Sequence, residues 1–288
     1  MPTGNQVGRE GTLSSGPTDG PRTGPLRYGR GMHTLLISRV DQVVTVTLNR
    51  PEKKNAANGE MWDELLTTFR QLRNDPDARC VVITGSGDAF CSGADLSGTA
   101  GGDRPHQLTA MRHIRDVALS LHDLPMPTIA KVNGVAAGAG CNIALGCDLI
   151  VASDRARFSE IFARRGLSVD FGGTWLLPRL IGLHKAKELA FFADIIDAAR
   201  AAELGLVNKV VPHDGLDAAV HEWATTLAAG APIAISQTKT MLNRSIGLTM
   251  DECLELEGWA QTVNFGTSDT NEAISAFLQK RSPRFAGR

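Results

Sequence analysis

The chain has 288 residues, 42% of them hydrophobic and 21% charged, with 30 Lys and Arg against 31 Asp and Glu. That length and apolar share support a substantial core in one large or two small domains, and a formal charge of -1 gives no electrostatic case for nucleic acid or an anionic membrane. The two longest runs without a formal charge, 132–147 and 223–238, hold 16 residues each and include Gly or Pro, short of the roughly 18–20 apolar residues that a spanning helix needs.

The first thirty residues contain no apolar h-region, which disfavours secretion. Five cysteines form an odd set without a CxxC pair and sit mostly in apolar runs, so they read as reduced core thiols of a soluble cytoplasmic protein. Zinc-ligand spacing and HExxH are absent, and no metal site is expected.

Residues 1–31 hold eight Gly, four Pro and four Arg against two acids, with few large apolar side chains. Such a segment cannot bury enough surface to offset its ordering entropy, so a disordered tail is expected there. Met32 opens the patterned part. Leu35 to Ile37 and Val43 to Leu48, joined across Asp41-Gln42, predict a β-hairpin. Asn58 is placed to cap a helix whose Met61, Leu65, Phe69 and Leu72 share one face. Cys80 to Thr84 reads as a buried strand, and a Gly-, Ser- and Asp-rich loop runs on to about Asp103, with Gly98 to Gly102 expected to be mobile. Residues 106–124 predict a second amphipathic helix with Leu108, Met111, Ile114, Ala118 and Leu121 inward, His113 and His122 being read as solvated. Thr128 to Val132 is the next strand, Gly134 to Gly146 a turn and helix, and Asp148 to Ala152 a further strand. Beyond Gly173 the chain reads as mostly helical to Lys280, with breaks at Pro178, Pro212 and Pro232.

Three segments carry candidate chemistry. Gly85-Ser86-Gly87 follows a strand, but the third glycine of a dinucleotide fingerprint would fall on Phe90, so nicotinamide binding is disfavoured. Phe90 to Leu96 and Asn133 to Cys141 each follow a strand and are dense in Gly and Ala. Facing each other, two such loops would present two backbone N–H donors to one oxygen; tight helix–strand packing is the competing reading, and composition does not separate them. Asp170 lies among Leu167, Val169, Phe171 and Trp175, just ahead of a helix start. A carboxyl so placed is either a base with a raised pKa or a cap for the following turn.

In order and spacing, these segments resemble the enoyl-CoA hydratase/isomerase (crotonase) superfamily over roughly residues 33–288. The landmarks are Asn49-Arg50-Pro51 with Asn55-Ala56, Phe90 to Leu96, Gly134 to Cys147, Gly172-Gly173-Thr174 leading to Pro178-Arg179, Ala202 to Val207 with Val210-Val211-Pro212, and Phe277 to Arg281. Gly134 to Gly140, Gly172 to Arg179 and Ser275 to Gly287 look most like the ring-epoxide (1,2-epoxyphenylacetyl-CoA) isomerase branch.

The resemblance implies an α/β fold, a spiral of ββα units followed by a C-terminal helical trimerisation region. It would divide the chain into a tail (1–31), an acyl-CoA-binding core (32–212) and a helical oligomerisation region (213–288), forming homotrimers or hexamers. It implies an acyl-CoA thioester as substrate, with CoA arriving as part of that substrate and no separate cofactor. The amides of Ala94 and Ala139 match the donors that hold the thioester oxygen. Lys53, Ala56, Asp95 and Leu96 match CoA-contacting segments, and Lys280 matches a residue that in many members reaches CoA, sometimes from the neighbouring subunit. The two glutamates of a hydratase fall here on Asn142 and Phe162, with Glu160 two residues away. Asp170 matches the proton-shuttling carboxylate of the isomerase branches. Isomerisation is therefore expected ahead of hydration by displaced residues or a non-catalytic CoA-binding role.

Overall fold

The computed structural model describes residues 31–97 and 106–288. The expectations for the tail, Gly31 apart, and for the Gly98 to Gly102 loop lie outside the described residues. Strands β1 (Leu35–Val40) and β2 (Val43–Leu48) form the expected hairpin, with Val40 opposite Val43 across a two-residue turn in which Asp41 takes φ 51°. Helix α1 (Gly59–Arg73) begins where Asn58 accepts the Met61 N–H at 2.9 Å, and it buries Met61, Leu65, Phe69 and Leu72. Each such side chain contributes about 1.5–3 kcal/mol on leaving water.

A repeated unit then sets the architecture. Strand β3 (Cys80–Gly85) is followed by short β4 (Ala89–Cys91) and helix α2 (Gln107–His122). Next come β5 (Thr128–Val132), β6 (Val135–Ala137) and α3 (Ala139–Leu145), then β7 (Leu149–Ser153), β8 (Arg157–Ser159) and α4 (Gly173–Phe192). The first strand of each unit joins a six-stranded sheet and the second a four-stranded sheet, so the chain advances as a spiral of ββα units. Strand β9 (Ile196–Asp197) completes the small sheet. Helix α5 (Ala198–Glu203) leads to β10 (Lys209–Val211), which pairs with β7 at the edge of the large sheet. Four helices follow: α6 (Leu216–Ala228), α7 (Pro232–Ser245), α8 (Met250–Phe265) and α9 (Ser268–Leu278).

Both faces of the large sheet are covered. Val81 and Ile83 of β3 pack into the main core with Phe69, Phe90 and Leu121, while Cys80 and Val82 meet Leu216, Val220 and Ala224 of α6. Two-sided burial is why β3 is a continuous apolar run. Cys80, Cys91, Cys141 and Cys147 are buried thiols, and Cys253 is half-buried. Among the described residues, no helix is long and apolar enough to cross a membrane.

Three expectations need correction. Leu108 is not inward: its side chain is 53% exposed, because the first turn of α2 extends past the core and only Val117 and Leu121 of that helix are fully buried. Pro178 does not break its helix; the bend falls at Gly182, whose φ of 76° and ψ of 160° a side chain would resist. His122 is not solvated, since it is half-buried with its ring 5.3 Å from that of Trp175, and burial lowers its pKa.

Candidate active site

The loop after β4 and the start of α3 are pressed together. A methyl group on Gly93, whose φ is 104°, would lie 2.9 Å from the Ala137 carbonyl oxygen and 3.8 Å from the Ala139 nitrogen. One on Gly140 would lie 2.1 Å from the Cys91 carbonyl oxygen. The glycines therefore do serve close packing, and the same packing brings the two candidate donors to one place. Ala57 pairs with the strand that carries Ala94: its N–H donates to Gly93 O (2.8 Å) and its carbonyl accepts from Asp95 N (2.8 Å). In such a parallel bridge the Ala94 N–H points to the other side. The Ala139 N–H opens α3, where the first helical amides have no intrahelical acceptor. Among the described residues neither amide donates to the protein.

The turn that carries Asp170 meets α3 about one helical turn past Ala139. The Asn142 Nδ2, on the residue three after Ala139, donates to the Asp170 main-chain oxygen at 3.0 Å and to Glu160 Oε2 at 3.3 Å. Gly173 is seated against that amide, with a Cβ position only 2.5 Å from Nδ2, so the turn 170–173 and α3 are locked in register. Asp170 is half-buried, and its Oδ1 lies out of solvent without a protein partner. Desolvation pushes its pKa up to about 6. Of its expected apolar neighbours, Leu167 and Trp175 are 52% and 39% exposed, whereas Phe171 is buried. Phe171 itself stacks at a tilt on Trp62 of α1, 5.6 Å between ring centroids. Glu160 is 2% exposed, and its carboxyl is pushed up to about 7, chiefly by burial. Phe162 is buried, with its ring 3.6 Å from the Cβ position of Gly138, and it makes an apolar wall beside the Ala139 turn.

Lys53, Ala56, Asp95 and Leu96 come together on one side of this loop. Lys53 is exposed at the end of a 3₁₀ turn, and its carbonyl accepts the Ser92 hydroxyl at 3.3 Å. Arg50 donates to the Ala56 carbonyl and pairs with Asp95 at 2.9 Å, and contacts from Ser97 and Arg50 hold the Asp95 carboxyl down at about 2. Lys280 is apart from them: it follows α9, which packs on α8, and takes φ 53° there. A groove of about 580 Å³ between α4 and α7, walled by His122, Trp175, Arg179 and Lys239, is not lined by Ala94, Ala139 or Asp170. Among the described residues, no three His, Cys, Asp or Glu side chains gather to hold a metal ion.

The family model for enoyl-CoA hydratase/isomerase matches residues 39–288. The chain belongs to the enoyl-CoA hydratase/isomerase family. It is 37% identical to the 1,2-epoxyphenylacetyl-CoA isomerase of Escherichia coli (strain K12), over 89% of this chain and 100% of that one. It is 36% identical to the short-chain-enoyl-CoA hydratase of Clostridium acetobutylicum, over 87% and 96%. The crystal structure of an enoyl-CoA hydratase from Bacillus anthracis is similar with a TM-score of 0.86 and 32% identity, covering 89% of this chain and all of that one. Hydratase and isomerase names thus occur side by side among relatives of this family member.

Asn55 and Asn133 lie within segments already named from the sequence, but their bracing role was not foreseen. Asn55, fully buried at φ 56°, accepts from Arg50 N and donates to Ser86 O (2.9 Å) and Ala89 O (2.8 Å). Asn133 donates to the carbonyls of Gly85, Gly87 and Ala89. Both brace the turn between β3 and β4, the strand that leads to Ala94. For Asn133 the available signal was an Asn inside an otherwise apolar and glycine-rich stretch, a polar group that burial obliges to find partners; Asn55 stands in a charged stretch that gave no such signal.

Proposed function

We propose that this protein is an acyl-CoA isomerase that moves a double bond, or opens a ring epoxide, through an enolate-type thioester intermediate. The observation that carries the reading is the half-buried Asp170 carboxyl, with one oxygen unengaged, held through Asn142 one helical turn from the Ala139 amide. CoA is seated by Lys53, Ala56, Asp95 and Leu96, with Lys280 reaching it in the assembled oligomer. The N–H groups of Ala94 and Ala139 receive the thioester oxygen. Asp170 as carboxylate removes a proton from the α- or γ-carbon, negative charge builds on that oxygen, and the protonated Asp170 returns the proton to the other carbon. Donors fixed in advance act where charge develops; losing one such donor in other enzymes costs about 3–4 kcal/mol of barrier. One carboxylate suffices for a shuttle, whereas hydration is served by an acid and a base together. Asn142 and Phe162, standing where the family's hydratases carry glutamates, transfer no proton.

A second reading rests on Glu160, whose raised pKa and link to Asp170 through Asn142 would allow a displaced acid–base pair and hydration. Purified protein offered 3-enoyl-CoA, 2-enoyl-CoA and the ring 1,2-epoxide of phenylacetyl-CoA separates the two. Double-bond migration or epoxide opening without 3-hydroxyacyl product supports isomerisation. Hydration that survives Asp170→Asn but not Glu160→Gln overturns it. The exposed apolar side chains Phe191, Phe192, Leu242, Trp259, Phe265 and Phe277 of α4 and α7 to α9 support assembly into a homotrimer or hexamer.

A further inference from the structure

Behind the Ala139 turn lies a group of buried acceptors short of donors, with the Cys141 thiol and the Asn142 amide facing Glu160. Glu160 Oε1, Asn142 Oδ1 and Asp170 Oδ1 are all out of solvent and without a protein partner. The Asn142 Nδ2 supplies the donor that ties Glu160 to the Asp170 turn. With Asp170 ionised nearby, an ionised Glu160 would leave buried negative charge uncompensated. The groups that face Glu160 offer no cation: they are the Cys141 thiol and Asn142 amide of α3 and the Asp170 carboxyl ahead of α4, while Arg164 and Arg165 on its own segment are exposed. A proton on Glu160 removes the conflict, because a neutral carboxyl adds the missing donor.

We infer that Glu160 is a positioning residue of the Asp170 centre: it acts as a neutral, proton-bearing carboxyl that fixes the Asn142 amide and thereby the Asp170 turn, without touching substrate. This rests on the reading of Asp170 as the base. When Glu160 ionises, it loses its donor and sets a second negative charge beside the carboxylate and near the oxygen on which enolate charge must form. Turnover then falls. Turnover needs Asp170 without its proton and Glu160 with its own, so an alkaline limb is expected where Glu160 ionises, and removing that ionisation should remove the limb.

The test compares kcat against pH for wild type, Glu160→Gln and Glu160→Ala on whichever of the three thioesters turns over. Glutamine keeps shape and neutrality, so E160Q is expected to retain wild-type kcat within about threefold near pH 6 and to lose the alkaline limb. E160A is expected to lower kcat at least tenfold with KM for the acyl-CoA changed less than twofold. Superimposable pH profiles of E160Q and wild type would overturn the inference. So would abolished turnover in folded E160Q, which would make Glu160 the proton-transferring group. Asp170→Asn, assayed alongside, tests the underlying reading separately: retained turnover there removes the base, whatever E160Q does. Infrared spectroscopy of Asp170→Asn covers a failure of E160Q to fold. The C=O stretch of a protonated carboxyl is expected at mildly acidic pH and should vanish as pH rises, and its absence would also overturn the inference.

Discussion

At the scale of single residues, burial and one amide decide what the carboxyls do. On the proposed reading Asp170→Asn removes the base while keeping the Asn142 bond to its main-chain oxygen, so fold and acyl-CoA affinity should persist. Loss of a positioned acid–base group lowers turnover by roughly 10²–10⁴, which steady-state kinetics beside a melting curve will measure; an unfolded variant would mark the residue as a structural cap. Glu160 gives a stability prediction that is independent of substrate. Its carboxyl moves from an ordinary 4.5 to about 7 in the folded chain, so between those values the folded state holds the proton and the unfolded state does not. Stability should therefore fall as pH rises through that window, and Glu160→Gln should flatten the fall. Between pH 4 and 8 the wild type should lose on the order of 3 kcal/mol that the variant keeps, readable from urea midpoints at those two pH values. Parallel curves would deny the raised pKa. The sequence pointed to Asp170 as base or cap, but its lone position could not reveal the Asn142 bond that joins it to Glu160, because residues 142, 160 and 170 meet only after two strand crossings.

At the scale of elements, hydrophobic period and capping made most of the fold readable. Asn58 and the Met61, Leu65, Phe69 and Leu72 stripe defined α1, and β-branched runs defined β2 and β3. The short strands β4, β6 and β8 were hidden, since three residues carry no period and they look like the glycine-rich loops that contain them. Pro178 misled because proline costs a helix one hydrogen bond, and here the glycine four residues on takes the bend. The tightest element contact gives the next prediction. Gly140→Ala would drive a methyl against the Cys91 carbonyl where α3 crosses β4, and overpacking of this kind costs about 1–3 kcal/mol. The thermal midpoint should drop and turnover with it, because the Ala139 amide shifts. An unchanged midpoint would show that the helix has room to move.

At the scale of the whole molecule, the C-terminal helices carry large exposed apolar side chains. Along α8 only Ala260 is fully buried, while Trp259 is 61% and Phe265 71% exposed. Light scattering after size exclusion should give a mass three or six times that of the chain. Trp259→Glu with Phe265→Glu should shift it toward the monomer, and no shift would place the interface elsewhere. A chain beginning at Met32 should match the full protein in activity and melting temperature, because residues 1–31 bring few core-forming side chains; a large drop on truncation would contradict this.

The Ala57–Ala94 bridge stitches the turn that carries Lys53 and Ala56 to the loop that carries Ala94 across two hydrogen bonds of 2.8 Å. A coenzyme seated on Lys53 and Ala56 would therefore stiffen the ribbon that aims the Ala94 amide. Coenzyme A without any acyl group should slow deuterium uptake at Ala94 and Asp95, so that the handle of the molecule tightens the grip on its reactive end before the chemistry begins.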